Sequence, residues 1–260
     1  MRVQFVQKLR NAVKGSCTRR TPRTLRTCRT FAPLGVRHNV SVFTRIRVVG
    51  LGRVGGAVAS RLREQRLLAT DGDADLVLFC VPDAAIADVA RALPVGPWVA
   101  HVSGATTLAA LAPHERRFSV HPLQTFTISR GPEQLDGAWA AITGENRDAE
   151  ARARWVAERL GLTPFPLADD RRALYHAGAA FASNYLVTLQ RAASRAFIAA
   201  GAPPEALLPL MRRTIDNNFE LTGPISRGDW TTVDAHLQSL GRDLPDLEPL
   251  YRALADATAR

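Results

Sequence analysis

The chain of 260 residues carries a formal charge of +10, from 34 Lys and Arg against 24 Asp and Glu. The excess is confined to the first 44 residues, where Lys8, Lys14 and eight arginines meet no acid, so residues 45–260 hold 24 charges of each sign. A groove for a nucleic-acid backbone belongs on a basic folded domain, so nucleic acid is disfavoured as a partner, and no apolar stretch approaches the roughly 20 residues that span a bilayer, so no membrane partner is expected.

Residues 1–44 are rich in Arg and Thr and lack both acids and a sustained apolar period. That composition suits a transit peptide or a disordered basic extension, and the Ala- and Arg-rich, Lys-poor body favours the extension. Cys17, Cys28 and Cys80 have no metal-ligand spacing. No metal is expected, the chain reads as a reduced cytoplasmic protein, and Cys80 reads as a core residue.

The first folded element is the strand ending at Val48-Val49, which leads into Gly50, Gly52 and Gly55 of a G-x-G-x-x-G turn and then a helix over 57–66. In such a turn Gly50 permits the bend, Gly52 lets the backbone approach a pyrophosphate, and Gly55 lets helix and strand pack closely. Further strands are expected at 76–81, 98–103, 118–122, 139–143 and 163–167, with helices at 84–93, 108–111 and 149–160. This alternation predicts an α/β fold, a doubly wound parallel, Rossmann-like sheet over 45–167. An all-helical C-terminal domain follows over 168–260. It opens with one long helix from Asp169 to Ala200 and continues with helices at 204–218, 232–240 and 247–259.

One part of the sheet is expected to be short. A second strand and its helix do not fit between Gly55 and Asp75, because one helix uses at least about ten residues. Asp71 has roughly the spacing of a ribose-binding acid, yet it falls in a loop near the strand entrance, at the wrong end of the sheet.

The segments GLGRVGGAVA, DLVLFCVPDAAI, HVSGA, SVHPLQTF, YHAGAAFASNYLVTL and LTGPISRGD together resemble one family. It comprises two-domain Rossmann-like proteins with a helical C-terminal domain of unknown function, relatives of pyrroline-5-carboxylate reductase, ketopantoate reductase and the 6-phosphogluconate dehydrogenase group. The resemblance covers 45–260 and implies a dinucleotide fold with NADP, or alternatively NAD, as cofactor. Cofactor contacts are expected at Gly50, Gly52, Arg53, Val54, Gly55, Val81, Pro82, Ser103 and Gly104. The chain departs from its ketopantoate reductase and hydroxyacid dehydrogenase relatives at the lysine they place four residues before a helical Asn. With that Asn at Asn184 the position is Ala180, and residues 45–260 contain no Lys.

The remaining catalytic candidates are His121, His176 and Asn184, with Ser183 and Arg227 as substrate contacts. His121 follows a strand, at the carboxyl edge where such sheets bind ligands, and an unperturbed pKa of about 6.5 suits proton donation. A loop-capping role for His121 is the structural alternative. His101, one pleat deeper than Ser103, reads as structural. Arg227 could hold a carboxylate bidentately or pair with Asp229. The expected function is an NAD(P)-dependent oxidoreductase reducing a small carbonyl or imine acid in a cleft between the domains. The alternative is a non-catalytic nucleotide-binding or sensor protein, and a homodimer through the helical domain is the expected assembly.

Overall fold

The computed structural model describes residues 43–260, so most of the basic extension lies outside the described residues. The described residues form two compact units, 43–184 and 185–260.

The first unit is built on a six-stranded sheet in the order β1 (Ile46–Val49), β2 (Leu76–Phe79), β3 (Trp98–His101), β4 (Arg117–Leu123), β5 (Trp139–Gly144), β6 (Thr163–Pro166). All neighbours are parallel except β4 and β5. The sheet is the expected Rossmann-like one, mostly parallel, and its single antiparallel pair has a topological reason. Parallel pairing needs a crossover, usually a helix, and residues 124–138 supply only a single 3₁₀ turn.

Helices cover both faces. On one side lie α1 (Arg53–Glu64) and α3 (Arg147–Arg159). Ala149, Ala153, Val156 and Ala157 fall on one stripe of α3 and are buried, the spacing of a core-facing helix. Asn146 caps α3 by accepting the Ala149 N–H at 2.9 Å. On the other side α2 (Ile86–Ala92) and the turn at Leu108–Leu111 pack on Val77, Phe79 and Val99.

The shortened edge is as expected: beyond β1 a single parallel bridge, Ile46 to Leu68, stands in place of a second strand. Asp71 is exposed and lies 3.6 Å from Arg45, just before β1, at the amino end of the sheet. The start of the body is corrected. Phe43, expected in the extension, is 2% exposed and stacks among Trp98, Phe118 and Trp155. Thr44 donates from both its N–H and its hydroxyl to Asp75. Those bonds hold the Asp75 carboxyl below its usual range.

The expected helix from Asp169 to Ala200 is two helices, α4 (Arg172–Ala182) and α5 (Asn184–Ala199). Ser183 departs from helical geometry at φ −123°, ψ −74°. Its hydroxyl donates to the Ala179 carbonyl at 2.7 Å, a local bond that competes with the helix ladder.

The second unit continues with α6 (Leu207–Asp216), α7 (Trp230–Asp243) and α8 (Glu248–Thr258). Asp229 caps α7 through the Thr232 N–H, and Trp230, Val233, Leu237 and Ala255 form a small core. No helix among the described residues is long and apolar enough to cross a membrane.

Candidate active site

The glycine turn is built as its spacing demands. Gly50 has φ +91°, and a Cβ there would lie 2.6 Å from the Cys80 carbonyl oxygen and 3.0 Å from Val81. A Cβ on Gly55 would meet the Gly50 carbonyl oxygen at 1.8 Å, whereas one on Gly52 would meet nothing within 4 Å. The first and third glycines therefore pack the joint, and the second leaves the backbone open. The α1 N-terminus has no side-chain cap and no acid in its first turn. Its free N–H groups and positive dipole end suit an anion, with the exposed Arg53 beside them. Val81 packs into the core, Pro82 is exposed, and burial pushes the Cys80 thiol up to about 12.

The opposite wall grows from the alternation of β4. Phe118 and Val120 enter one core; Ser119 and His121 point to the other face. One turn of α4 spaces Arg172 and Tyr175 so that they meet this pair. Tyr175 Oη lies 2.7 Å from His121 Nδ1. Arg172 is 1% exposed. It donates to the Ser103 carbonyl at 2.9 Å, to Thr143 Oγ1 at 2.9 Å, to Asp169 Oδ1 at 2.8 Å and to Ser119 Oγ. Asp169 in turn accepts the Leu108 N–H. Ser119 and Thr143 are register partners across β4 and β5, so this one guanidinium ties β4, β5 and the loop after β3 to the start of α4. Burial lowers the Arg172 pKa and Asp169 opposes that shift.

His121 and His176 stand edge to face, centroids 6.1 Å apart, and Gly104 lies against both. A Cβ on Gly104 would be 2.7 Å from His176 Cδ2 and 2.8 Å from His121 Nε2. Burial, then the neighbouring His176 and Arg172, push His121 down to about 4. The ring is therefore neutral near pH 7, and the expectation of a proton donor titrating near neutrality is corrected to one of a neutral N–H. His101 is fully buried, accepts the Ser103 N–H at Nδ1 (3.2 Å), and is held down to about 3 by burial.

A cleft of about 930 Å³ runs past Arg53, Val54, His121, His176, Ser183 and Asn184. It thus brings together the three catalytic candidates, one substrate candidate and the head of the glycine turn, all within the first unit. Two expected residues are placed otherwise. The Ser103 hydroxyl is engaged internally: it donates to Asp83 at 2.8 Å and accepts the N–H groups of Ala105 and Thr106. Arg227 belongs to the second unit and donates to the Thr222 carbonyl of its own loop, while Asp229, its expected partner, caps α7.

Arg172, Tyr175 and Asp83 are the residues that sequence reasoning missed. One signal was present for Arg172: a cation in the first turn of a helix opposes the helix dipole, so it must serve something other than the helix. Among the described residues no group of three or more His, Cys, Asp or Glu could hold a metal ion.

Residues 138–258 match a family model described as a domain of unknown function, DUF2520. No match is found among curated proteins. Among solved structures, a candidate NADP oxidoreductase from Bacteroides fragilis is similar, with TM-score 0.68 and 22% identity over 82% of this chain and 97% of that one. A Thermotoga maritima protein gives 0.63 and 23% over 83% and 100%. The 1-pyrroline-5-carboxylate reductase of Streptococcus pyogenes gives 0.56 and 16% over 84% and 97%. Residues 138–258 are thus similar to the DUF2520 domain, and the described residues form a Rossmann-like sheet followed by a helical part.

Proposed function

We propose that this chain is an NADP-dependent oxidoreductase that reduces a small carbonyl or imine acid, with His121 as the polarising donor. The observation that supports this most is the shared cleft: Arg53 and Val54 at the α1 N-terminus line the same space as His121 and His176. The open backbone at Gly52 and the uncapped α1 N-terminus suit a pyrophosphate, and the structural relatives include a candidate NADP oxidoreductase. NADPH, when bound, supplies the hydride.

The chain's own residues then have separable tasks. Gly50, Gly52 and the first N–H groups of α1 hold the pyrophosphate, with Arg53 available to a further phosphate. His121, neutral at pH 7, donates an N–H to the substrate oxygen or nitrogen as charge develops there, the role of an imidazole kept neutral by its surroundings. Arg53, Gln124, Thr125, Ser183 and Asn184 supply polar contacts along the cleft, and no carboxylate is among its lining residues. That lining favours an anionic substrate.

The test is NADPH oxidation across a panel of small 2-oxo acids and cyclic imino acids. His121→Asn is expected to lower kcat by about 10²–10⁴ while leaving NADPH affinity nearly unchanged. Full turnover in His121→Asn would remove the residue from the chemistry. The single bridge in place of a second strand and Ala180 at the lysine position favour a second reading, a non-catalytic nucleotide-binding or sensor protein. NADPH binding without turnover of any panel member would select it.

A further inference from the structure

We infer that Tyr175 is a positioning residue that decides which ring nitrogen of His121 carries the proton, holding the imidazole as its Nε2–H tautomer. The significance for catalysis rests on the reading of His121 given above; the tautomer itself does not. Tyr175 Oη is 2.7 Å from His121 Nδ1, and the rings meet edge to face with centroids 5.5 Å apart. Among the described residues this is the one hydrogen bond of the phenol.

Two neutral arrangements could fill that bond. If Nδ1–H donated to the phenol oxygen, the phenol's own proton would have no acceptor among the described residues, and Nε2 would turn a lone pair toward Gly104 and His176. If the phenol donates to Nδ1, its proton is satisfied and Nε2 keeps an N–H on the edge facing Gly104 and His176. The second arrangement pairs the phenol's proton and leaves Nε2–H as the one unpaired donor. That nitrogen is not among the buried unpartnered atoms and belongs to a residue lining the cleft, where solvent or substrate can accept from it. Both groups are in the required state at neutral pH, since burial pushes the phenol up to about 12 and the imidazole down to about 4. The phenol is also fixed in place. It stands one helical turn after the buried Arg172, and the Phe165 ring of β6 lies 5.9 Å from its own.

The molecule carries its own control. In the second unit His236 Nδ1 lies 2.8 Å from Tyr251 Oη with the same edge-to-face geometry. The experiment is a long-range proton–nitrogen correlation spectrum of the histidine rings in the ¹⁵N-labelled full chain at pH 7. It is recorded for the wild type, Tyr175→Phe and Tyr251→Phe, with His121 assigned by its disappearance in His121→Asn.

In the wild type, His121 is expected to show protonated Nε2 and unprotonated Nδ1. Tyr175→Phe keeps the ring and its packing and removes only the phenol, so both nitrogens should move toward the averaged values of exchanging tautomers. Tyr251→Phe should alter His236 and leave His121 unchanged. An Nδ1–H or averaged pattern for His121 in the wild type would overturn the inference even if Tyr175→Phe failed to fold. An unaltered His121 pattern in a folded Tyr175→Phe would do the same. Because the readout needs no turnover, a negative result with His121→Asn in the reductase assay leaves this inference standing, and the reverse also holds.

Discussion

The two units hold their polar and apolar side chains in opposite ways. Residues 43–184 bury a charged side chain, Arg172, and satisfy it with a carboxylate, two hydroxyls and a carbonyl, beneath which two apolar cores flank the sheet. In residues 185–260 no charged side chain is fully buried, and Arg195 and Asp246 form a two-pronged pair, both exposed. What lies exposed beside them is apolar. No side chain of α5 is buried, and Tyr185, Val187, Ile198, Leu210 and Phe219 stand largely open. The lesson concerns precision. A sheet with paired strand ends offers fixed polar sockets that can orient a histidine, while helices with a four-residue core offer apolar surface, a mark of interaction faces in other proteins.

The most severe test of this contrast removes one arginine from each unit. Arg172→Met takes the cation from the part-exposed Asp169 and leaves the buried Ser119 hydroxyl and Ser103 carbonyl without their partner. The loss of these charge-assisted bonds should cost about 2–4 kcal/mol, seen in a thermal melt as a fall of roughly 5–10 °C. Arg195→Met should leave the melt unchanged. Equal effects would show that burial does not distinguish the two arginines. Similar in size is Phe43→Ala, expected to cost about 3–4 kcal/mol as a core truncation. A loss near zero would return Phe43 to the extension.

The pH dependence should come from the first unit. His101 and His121 have folded pKa values of about 3 and about 4, below the ordinary 6.5. The unfolded chain therefore binds more protons than the folded one below about pH 6.5, and stability falls as pH falls from 6.5 to about 4 for His121 and to about 3 for His101. Between pH 7 and pH 5 each histidine should contribute up to about 2 kcal/mol of that loss, and denaturant midpoints of His121→Asn should show a shallower slope. The smallest effect is on nucleotide choice. Arg53→Ala should remove an NADPH preference of no more than about thirtyfold, or one to two kcal/mol, in a fluorescence titration where native binding lies at tens of micromolar or looser, as an order of magnitude. Arg227→Ala, in the second unit, should leave that titration unchanged.

Periodicity and punctuation in the sequence determined the elements and much of the sheet. Apolar runs ending in Gly or Pro placed β1, β2 and β3 within two residues of their observed ends, because buried parallel strands are continuous apolar segments with sharp exits. The count of residues between Gly55 and Asp75 also predicted the missing second strand, since chain length limits what can fit. His121 and His176 could be chosen as candidates because a strand exit and a helix face are local properties. The tertiary structure alone decided the rest. That Phe43 belongs to the core depends on Trp98, Phe118 and Trp155 closing around it, which no local pattern encodes. The antiparallel return of β5 depended on what residues 124–138 could not form. Arg172 looks like any helical arginine until Ser119 and Thr143 are brought to it from two strands and Ser103 from the loop after a third. The bond from Tyr175 to His121 spans 54 positions of chain and exists only because one turn of α4 matches one two-residue step of β4.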